Sequence, residues 1–254
     1  MSTSQPSLQT FEQANQGLAA ELELLDAVCD TADSAVLVWQ TNQSLVVPAT
    51  FARTSGFQQA AERSAQRGWP VALRPTGGGT TPQGPGILNV ALALRSDSRA
   101  RMTIDAAYRA ICAPLQDAFA ELGLRTTCQA VPGSFCDGRY NIVLNKRKLA
   151  GTAQRWRLAV KAAGHHILAH ALILHSADVA AVTQAINAFH SDLGMNDPVL
   201  PAVHTTLADT GSGIGQEQLA CLLHKHLQNY IGDSATKENN AARTRSGSNI
   251  SYCF

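Results

Sequence analysis

Apolar and polar residues follow one another along this chain with two periods, one helical and one alternating, and the changes of period mark its elements. Leu18, Leu22, Leu25 and Cys29 recur at helical spacing after a polar opening, which predicts an amphipathic first helix. SAVLVW (34–39) and SLVV (44–47) are short apolar runs parted by a polar turn, the pattern of two neighbouring strands. A second helix is expected through SGFQQAAERSAQR, stopping at Gly68, where a left-handed cap costs little. WPVALR then reads as a strand. ILNVALAL, apolar without interruption, reads as a strand buried on both faces, and a triple-glycine loop joins the two.

From Thr103 a long helix is predicted to turn Ile104, Tyr108, Ile111, Leu115, Phe119 and Leu122 toward the core, kinked at Pro114 and stopped at Gly123. Strand LRTTC, loop AVPGSFCDGR and a YNIVLNKRKLAG hairpin turning near Asn145 and Lys146 come next. Strand HHILAHALIL, helix VAAVTQAINAF and a last helix near QEQLACLLHKHLQNY follow. Because hairpins interrupt any strict βαβ alternation, the predicted fold class is α+β, a mixed sheet flanked by helices. One domain is expected over residues 16–231, after a polar lead-in at 1–15 and before a tail at 232–254. That tail is almost free of apolar residues until its end and is expected to be disordered.

With 254 residues, 45% hydrophobic and 15% charged, the chain fits a soluble globular protein with one large core. A net charge of +1 gives no field toward nucleic acid or a membrane surface, and no such partner is expected. The N-terminus lacks the basic start and apolar run of a leader, so a cytoplasmic location is expected. The six cysteines have no paired metal-type spacing and are expected to be thiols. His165, His166 and His170 raise the question of zinc. Alternation places His166 and His170 on one strand face with Leu168 and Leu172, with no carboxylate or cysteine nearby in sequence. Buried or gate-lining histidines are the reading preferred, with no metal site.

Gly77, Gly78 and Gly79 imply either repeated positive φ or something lying against the backbone. A phosphate-binding P-loop would need a lysine and a hydroxyl residue directly after the glycines, where Thr80, Thr81 and Pro82 stand. A dinucleotide fingerprint would need a helix there, and the pattern gives a strand. A ligand-free connection and a ligand-contacting loop both stay open on pattern alone.

RPTGGGTTPQGPGILN followed by KRKLAGTAQRW and GHHILAHALIL resembles the superfamily of lipoate-protein ligases, biotin-protein ligases and octanoyltransferases, over about Leu18 to Leu207. The resemblance implies the biotin/lipoate-ligase type of catalytic domain, with Arg74, Thr76 and the glycine loop beside a tunnel for a medium-length acyl chain. It implies that Lys148 binds the reacting carbonyl while Gly151, Thr152 and Ala153 keep the floor of the site small; the bland reading of the basic triplet is a solvated turn. Asn89, in GILN, and SFCDGRYNIVLNKRKLAG resemble the octanoyl-(glycine cleavage H protein):protein octanoyltransferase branch, which makes Cys136 the candidate nucleophile. His170 matches the family's LxHG segment, with Ala171 in place of glycine.

What this branch implies is ATP-independent transfer, with no cofactor, of an octanoyl or lipoyl group. The donor would be octanoylated glycine cleavage H protein or acyl carrier protein, and the acceptor the lysine of a lipoyl domain of the 2-oxoacid dehydrogenase complexes. The acyl group would pass through a Cys136 thioester, and an ammonium near a thiol lowers its pKa from about 8.5. The alternatives are a ligase using ATP and Mg, and a non-catalytic acyl-binding homologue. Leu73 and Gln83 stand where ligases usually carry an arginine and a histidine, which speaks against adenylate handling. A simple hairpin register leaves Cys136 several residues past the partner of Lys148, so the loop must fold back if the two are to meet.

Overall fold

The computed structural model describes residues 8–31, 34–97, 102–159 and 164–246, with side chains to 233 except at 30, 31 and 97. In chain order these form β1 (Gln9–Phe11), α1 (Ala14–Thr31), β2 (Ala35–Thr41), β3 (Ser44–Pro48), α2 (Phe57–Gln66), β4 (Val71–Arg74), β5 (Thr81–Gln83) and β6 (Ile87–Asp97). They continue with α3 (Ile104–Glu121), β7 (Thr127–Gln129), β8 (Asn141–Leu144), β9 (Arg147–Leu158), β10 (Gly164–Leu174), α4 (Val179–Asp192) and α5 (Gln216–Ser246).

The uninterrupted apolar run is the centre of the fold. β6 pairs antiparallel with both β2 and β10 inside a seven-stranded sheet ordered β1-β2-β6-β10-β9-β8-β7. Its even residues Leu88, Val90 and Leu92 pack with Ile111, Leu115 and Phe119 of α3 and Leu223 of α5; Ala91 and Ala93 face Leu25 and Val28 of α1. Covered on both faces, such a strand has no polar side to show, which is why its sequence does not alternate. A second sheet, β4-β3-β5, packs against α4, where Ile186 and Phe189 meet Leu45 and Val47. β1 with β2 and β3 with β4 run parallel and the other pairs antiparallel, so the expected mixed, helix-flanked α+β fold is present.

The structure corrects several local expectations. β2 and β3 are consecutive but lie in different sheets, because the apolar runs found better partners in β6 and in β4 with β5. The lead-in contains β1, whose backbone pairs with β2 whatever its side chains. Ile104 is 64% exposed, since it opens α3 directly after the N-cap Thr103, before the helix reaches the core. The expected disordered tail is helical as far as Ser246, continuing a helix anchored by buried Leu219, Leu223 and Leu227; residues 247–254 lie outside the described residues. Among the described residues no helix is long and apolar enough to cross a membrane.

Candidate active site

The hairpin that carries Lys148 turns where expected. Asn145 and Lys146 both have positive φ (49° and 65°), the geometry of a tight turn whose twist matches the strands. Val143 then pairs with Lys148 but Ile142 pairs with Ala150, so Leu149 is an extra residue. This bulge re-aims the strand next to the lysine, a common device beside reacting centres. Lys148 is fully buried, and its Nζ donates to the carbonyl oxygens of Phe135 (2.5 Å) and Cys136 (3.2 Å). It also lies 4.4 Å from the centroid of the Phe135 ring. Loss of water around the ammonium lowers the Lys148 pKa to about 8, against the opposing pull of Cys136 and Asp137.

The loop between β7 and β8 does fold back. Asp137 Oδ1 accepts from Val131 N (2.7 Å) and Asn141 Nδ2 (2.8 Å), which ties the two ends of the loop together. Thr152 Oγ1 donates to Tyr140 O at 2.8 Å and fixes the far end to β9. Within this ring Cys136 holds φ = +45°, uncommon for any residue but glycine, asparagine or aspartate. Its Sγ accepts from the Gly79 backbone N–H at 3.2 Å and lies 3.9 Å from the Arg74 guanidinium.

The need for glycine in the GGG loop becomes clear here. A Cβ on Gly78, whose φ is +102°, would stand 2.6 Å from Cys136 Sγ, and one on Gly79 would stand 3.4 Å from Cys136 Cα. The cysteine loop itself occupies the space against the glycines, whereas the acyl chain was expected there. A Cβ on Gly77 would meet nothing within 4 Å. Arg74 is 4% exposed and binds the carbonyl oxygens of Val46, Gly77 and Gly79 together with Thr81 Oγ1, so it braces the loop. Burial lowers its pKa, offset in part by Cys136 and Glu21.

Together these groups wall a cleft between the two sheets. Cys136, Lys148, Arg74, Asn89, Gly151, Thr152, Ala153 and His170 all line it. Thr76 does not: it is buried, and its hydroxyl has no hydrogen-bond partner. Gly77, Gly78 and Gly79 stand behind Cys136 and outside the lining. A Cβ on Gly151 would lie 3.1 Å from Lys148 Nζ, so a side chain there would crowd the lysine.

Pattern reading missed Glu21, Trp39 and Phe135, which also line the cleft, as does Gln83 at the position where ligases usually carry a histidine. Glu21 is 3% exposed and accepts from Trp39 Nε1 (3.0 Å) while its other oxygen meets His170 Nδ1 (3.0 Å). The available signal was a carboxylate on the apolar stripe of α1, three residues after Leu18 and four before Leu25. Gln83 and Asn89 exchange reciprocal side-chain bonds of 2.8 and 2.7 Å, a closed amide pair in the cleft wall.

Residues 13–210 match the lipoyl protein ligase A/B catalytic domain. The chain is 44% identical over 184 residues to an uncharacterized protein of Cupriavidus necator, covering 68% of this chain and 72% of that one. It is 32% identical over 184 residues to an octanoyl-GcvH:protein N-octanoyltransferase of Kyrpidia tusciae, covering 70% of this chain and 63% of that protein. The alignment therefore spans less than two thirds of the Kyrpidia relative. A lipoate-protein ligase A bound with ATP superposes with a TM-score of 0.68 at 18% identity, covering 89% of this chain and 85% of that one. A putative lipoate protein ligase from T. acidophilum with bound lipoic acid gives 0.63 at 18%, covering 88% and 83%. These two likenesses concern the fold. The fold, the glycine loop, the lysine hairpin and the matched span agree, and the chain belongs to the lipoyl protein ligase A/B catalytic-domain family.

Proposed function

We propose that this protein is an ATP-independent protein acyltransferase that moves an octanoyl or lipoyl group through a thioester on Cys136. The observation that carries the reading is the setting of Cys136. Its sulfur stands in the cleft wall against the Gly79 N–H and Arg74, and its own carbonyl is held by Lys148. A half-buried backbone N–H and a cation beside a sulfur suit the negative charge it carries as nucleophile and as leaving group.

Sγ attacks the acyl carbonyl carbon of the donor. Lys148 has three N–H bonds and uses two on Phe135 and Cys136, which leaves one for the oxyanion that forms. Collapse expels the donor's lysine amine, which takes up a proton, or its carrier thiol, and leaves acyl-Cys136. The ε-amino group of an acceptor lysine then attacks the thioester, forms the amide with loss of a proton that balances the one the departing donor took up, and returns the thiolate. The names of the relatives support octanoylated glycine cleavage H protein as donor. Octanoyl acyl carrier protein is the competing donor, and the acceptor of this scheme is a lipoyl domain of a 2-oxoacid dehydrogenase complex. No cofactor enters this scheme, and a cytoplasmic location suits such partners.

An ATP- and Mg-dependent ligase is the second reading, because the same third N–H of Lys148 would serve an acid carbonyl. Against it, the Arg74 guanidinium is already engaged by backbone carbonyls and Thr81, and Gln83 is closed on Asn89. Intact-protein mass spectrometry without ATP, with each octanoyl donor and with wild type and Cys136→Ser, tests the proposal. An octanoyl adduct that requires Cys136 supports it and names the donor. No adduct from either donor, with acyl-adenylate appearing when ATP and free acid are added, would establish the ligase in its place.

A further inference from the structure

Phe135 immediately precedes Cys136, and both of its peptide groups are taken. Its carbonyl accepts from Lys148 Nζ, and its N–H donates to His204 Nε2 at 3.2 Å, across 69 residues of sequence. The other nitrogen of the same ring, Nδ1, lies 2.9 Å from the Leu200 carbonyl. A carbonyl only accepts, so Nδ1 carries the hydrogen and Nε2 is left as the lone-pair acceptor that the Phe135 N–H needs. The imidazole stacks on the Phe135 ring at 4.7 Å and 9°. His204 is 3% exposed, and burial followed by repulsion from Lys148 pushes its pKa down to about 4, so the ring stays neutral at ordinary pH.

The backbone around His204 is tied to the same machinery. His204 bridges to Lys148, and Thr205 N donates to Lys148 O at 2.9 Å. Leu200 N donates to Gly133 O at 2.8 Å, at the start of the cysteine loop.

We propose that His204 is a positioning residue that holds Phe135, and through it the left-handed Cys136, in the geometry needed for acylation. It is not among the residues that line the cleft. Its imidazole acts as a fixed acceptor that sets which way the Phe135 peptide faces, so that one carbonyl reaches Lys148 while Sγ reaches Gly79. A strained φ persists only where its surroundings over-determine it, and His204 supplies the constraint from outside the loop. This role in acylation rests on the acyltransferase reading above.

Two measurements test it. In wild-type protein labelled with ¹⁵N-histidine, NMR should show His204 as the neutral Nδ1–H tautomer at pH 7; an Nε2–H tautomer or an imidazolium overturns the proposal. In single-turnover acylation by whichever octanoyl donor acylates the wild type, His204→Phe keeps an aromatic ring to stack on Phe135 but offers no acceptor. It should slow acylation at least about tenfold with the half-saturating donor concentration unchanged. His204→Gln, which presents an oxygen near the position of Nε2, should recover to within about threefold of wild type. Equal slowing in both variants, no slowing in either, or an effect confined to donor binding overturns the proposal. If His204→Phe does not fold, the Gln variant and the tautomer still decide. If wild type accepts no acyl group from any donor, the acyltransferase reading falls, while the tautomer still decides whether His204 fixes Phe135.

Discussion

The Lys148 ammonium donates to the carbonyl oxygen of Cys136 at 3.2 Å, so the two residues picked out by the sequence motifs meet through the side chain of one and the backbone of the other. The β8–β9 hairpin alone pairs Lys148 with Val143. The contact exists because the 130–140 loop closes on Asp137 and returns over the strand.

That burial gives a pH dependence with a definite sign. The folded Lys148 pKa of about 8 lies below its unfolded value of 10.5, so between these values the unfolded chain binds more protons and stability rises with pH. Lys148→Met should remove this rise, which is on the order of 3 kcal/mol. Urea denaturation at pH 7, 9 and 10.5 measures it, and the same slope in the variant would refute the assignment. His204 acts in the acid range. Its folded value of about 4 lies below the unfolded 6.5, so stability falls as pH drops from 6.5 toward 4.

Neighbouring glycines should respond differently. Gly78→Ala places a Cβ 2.6 Å from Cys136 Sγ at a φ of +102°, whereas Gly77→Ala meets nothing. Acylation of Cys136 should fall at least about tenfold in the first and stay within about twofold of wild type in the second, since 1.4 kcal/mol of misplacement is already a factor of ten. Matching rates for the two variants would show that the glycines serve something other than room for the cysteine.

At Cys136 the backbone and the sulfur make separable contributions. With φ at +45°, Cys136→Gly should be more stable than Cys136→Ala by about 1 kcal/mol, because glycine enters the left-handed region without steric cost. Both should lose the acyl adduct. Thermal unfolding of the pair checks the first point, and an alanine variant as stable as the glycine one would contradict the strained geometry.

Glu21 accepts from the Trp39 indole and meets His170, both at 3.0 Å, inside the cleft wall. Glu21→Ala leaves the buried indole N–H without a partner and should cost about 2 kcal/mol, with Glu21→Gln losing less because an acceptor oxygen remains. Chemical denaturation midpoints give the comparison; identical midpoints for wild type and Glu21→Ala would show that the network contributes nothing to stability.

Several elements were readable from local pattern because their causes are local. β6 is apolar on both faces because layers cover both; the Asn145–Lys146 turn follows from two runs of strand-forming residues; α3 starts at Thr103, which accepts from the N–H three residues on. Resemblance added Cys136 and Lys148, and both line the cleft. Glu21, Trp39 and His204 escaped notice because each acts on a partner far away in sequence, and nothing in its own neighbourhood reveals that partner.

By itself, then, the sequence determined the order and kind of most elements, the central strand and the hairpin turn, while Cys136 and Lys148 were singled out by family resemblance. Local periodicity and turn preference act within a few residues and need no partner. Only the tertiary structure decided that β2 and β3 enter different sheets, that the cysteine loop lies against the glycines, and that His204 holds Phe135 from 69 residues away. Those outcomes depend on which buried donors and acceptors come together as the sheets pack. A buried polar group must find its partner wherever the fold brings one.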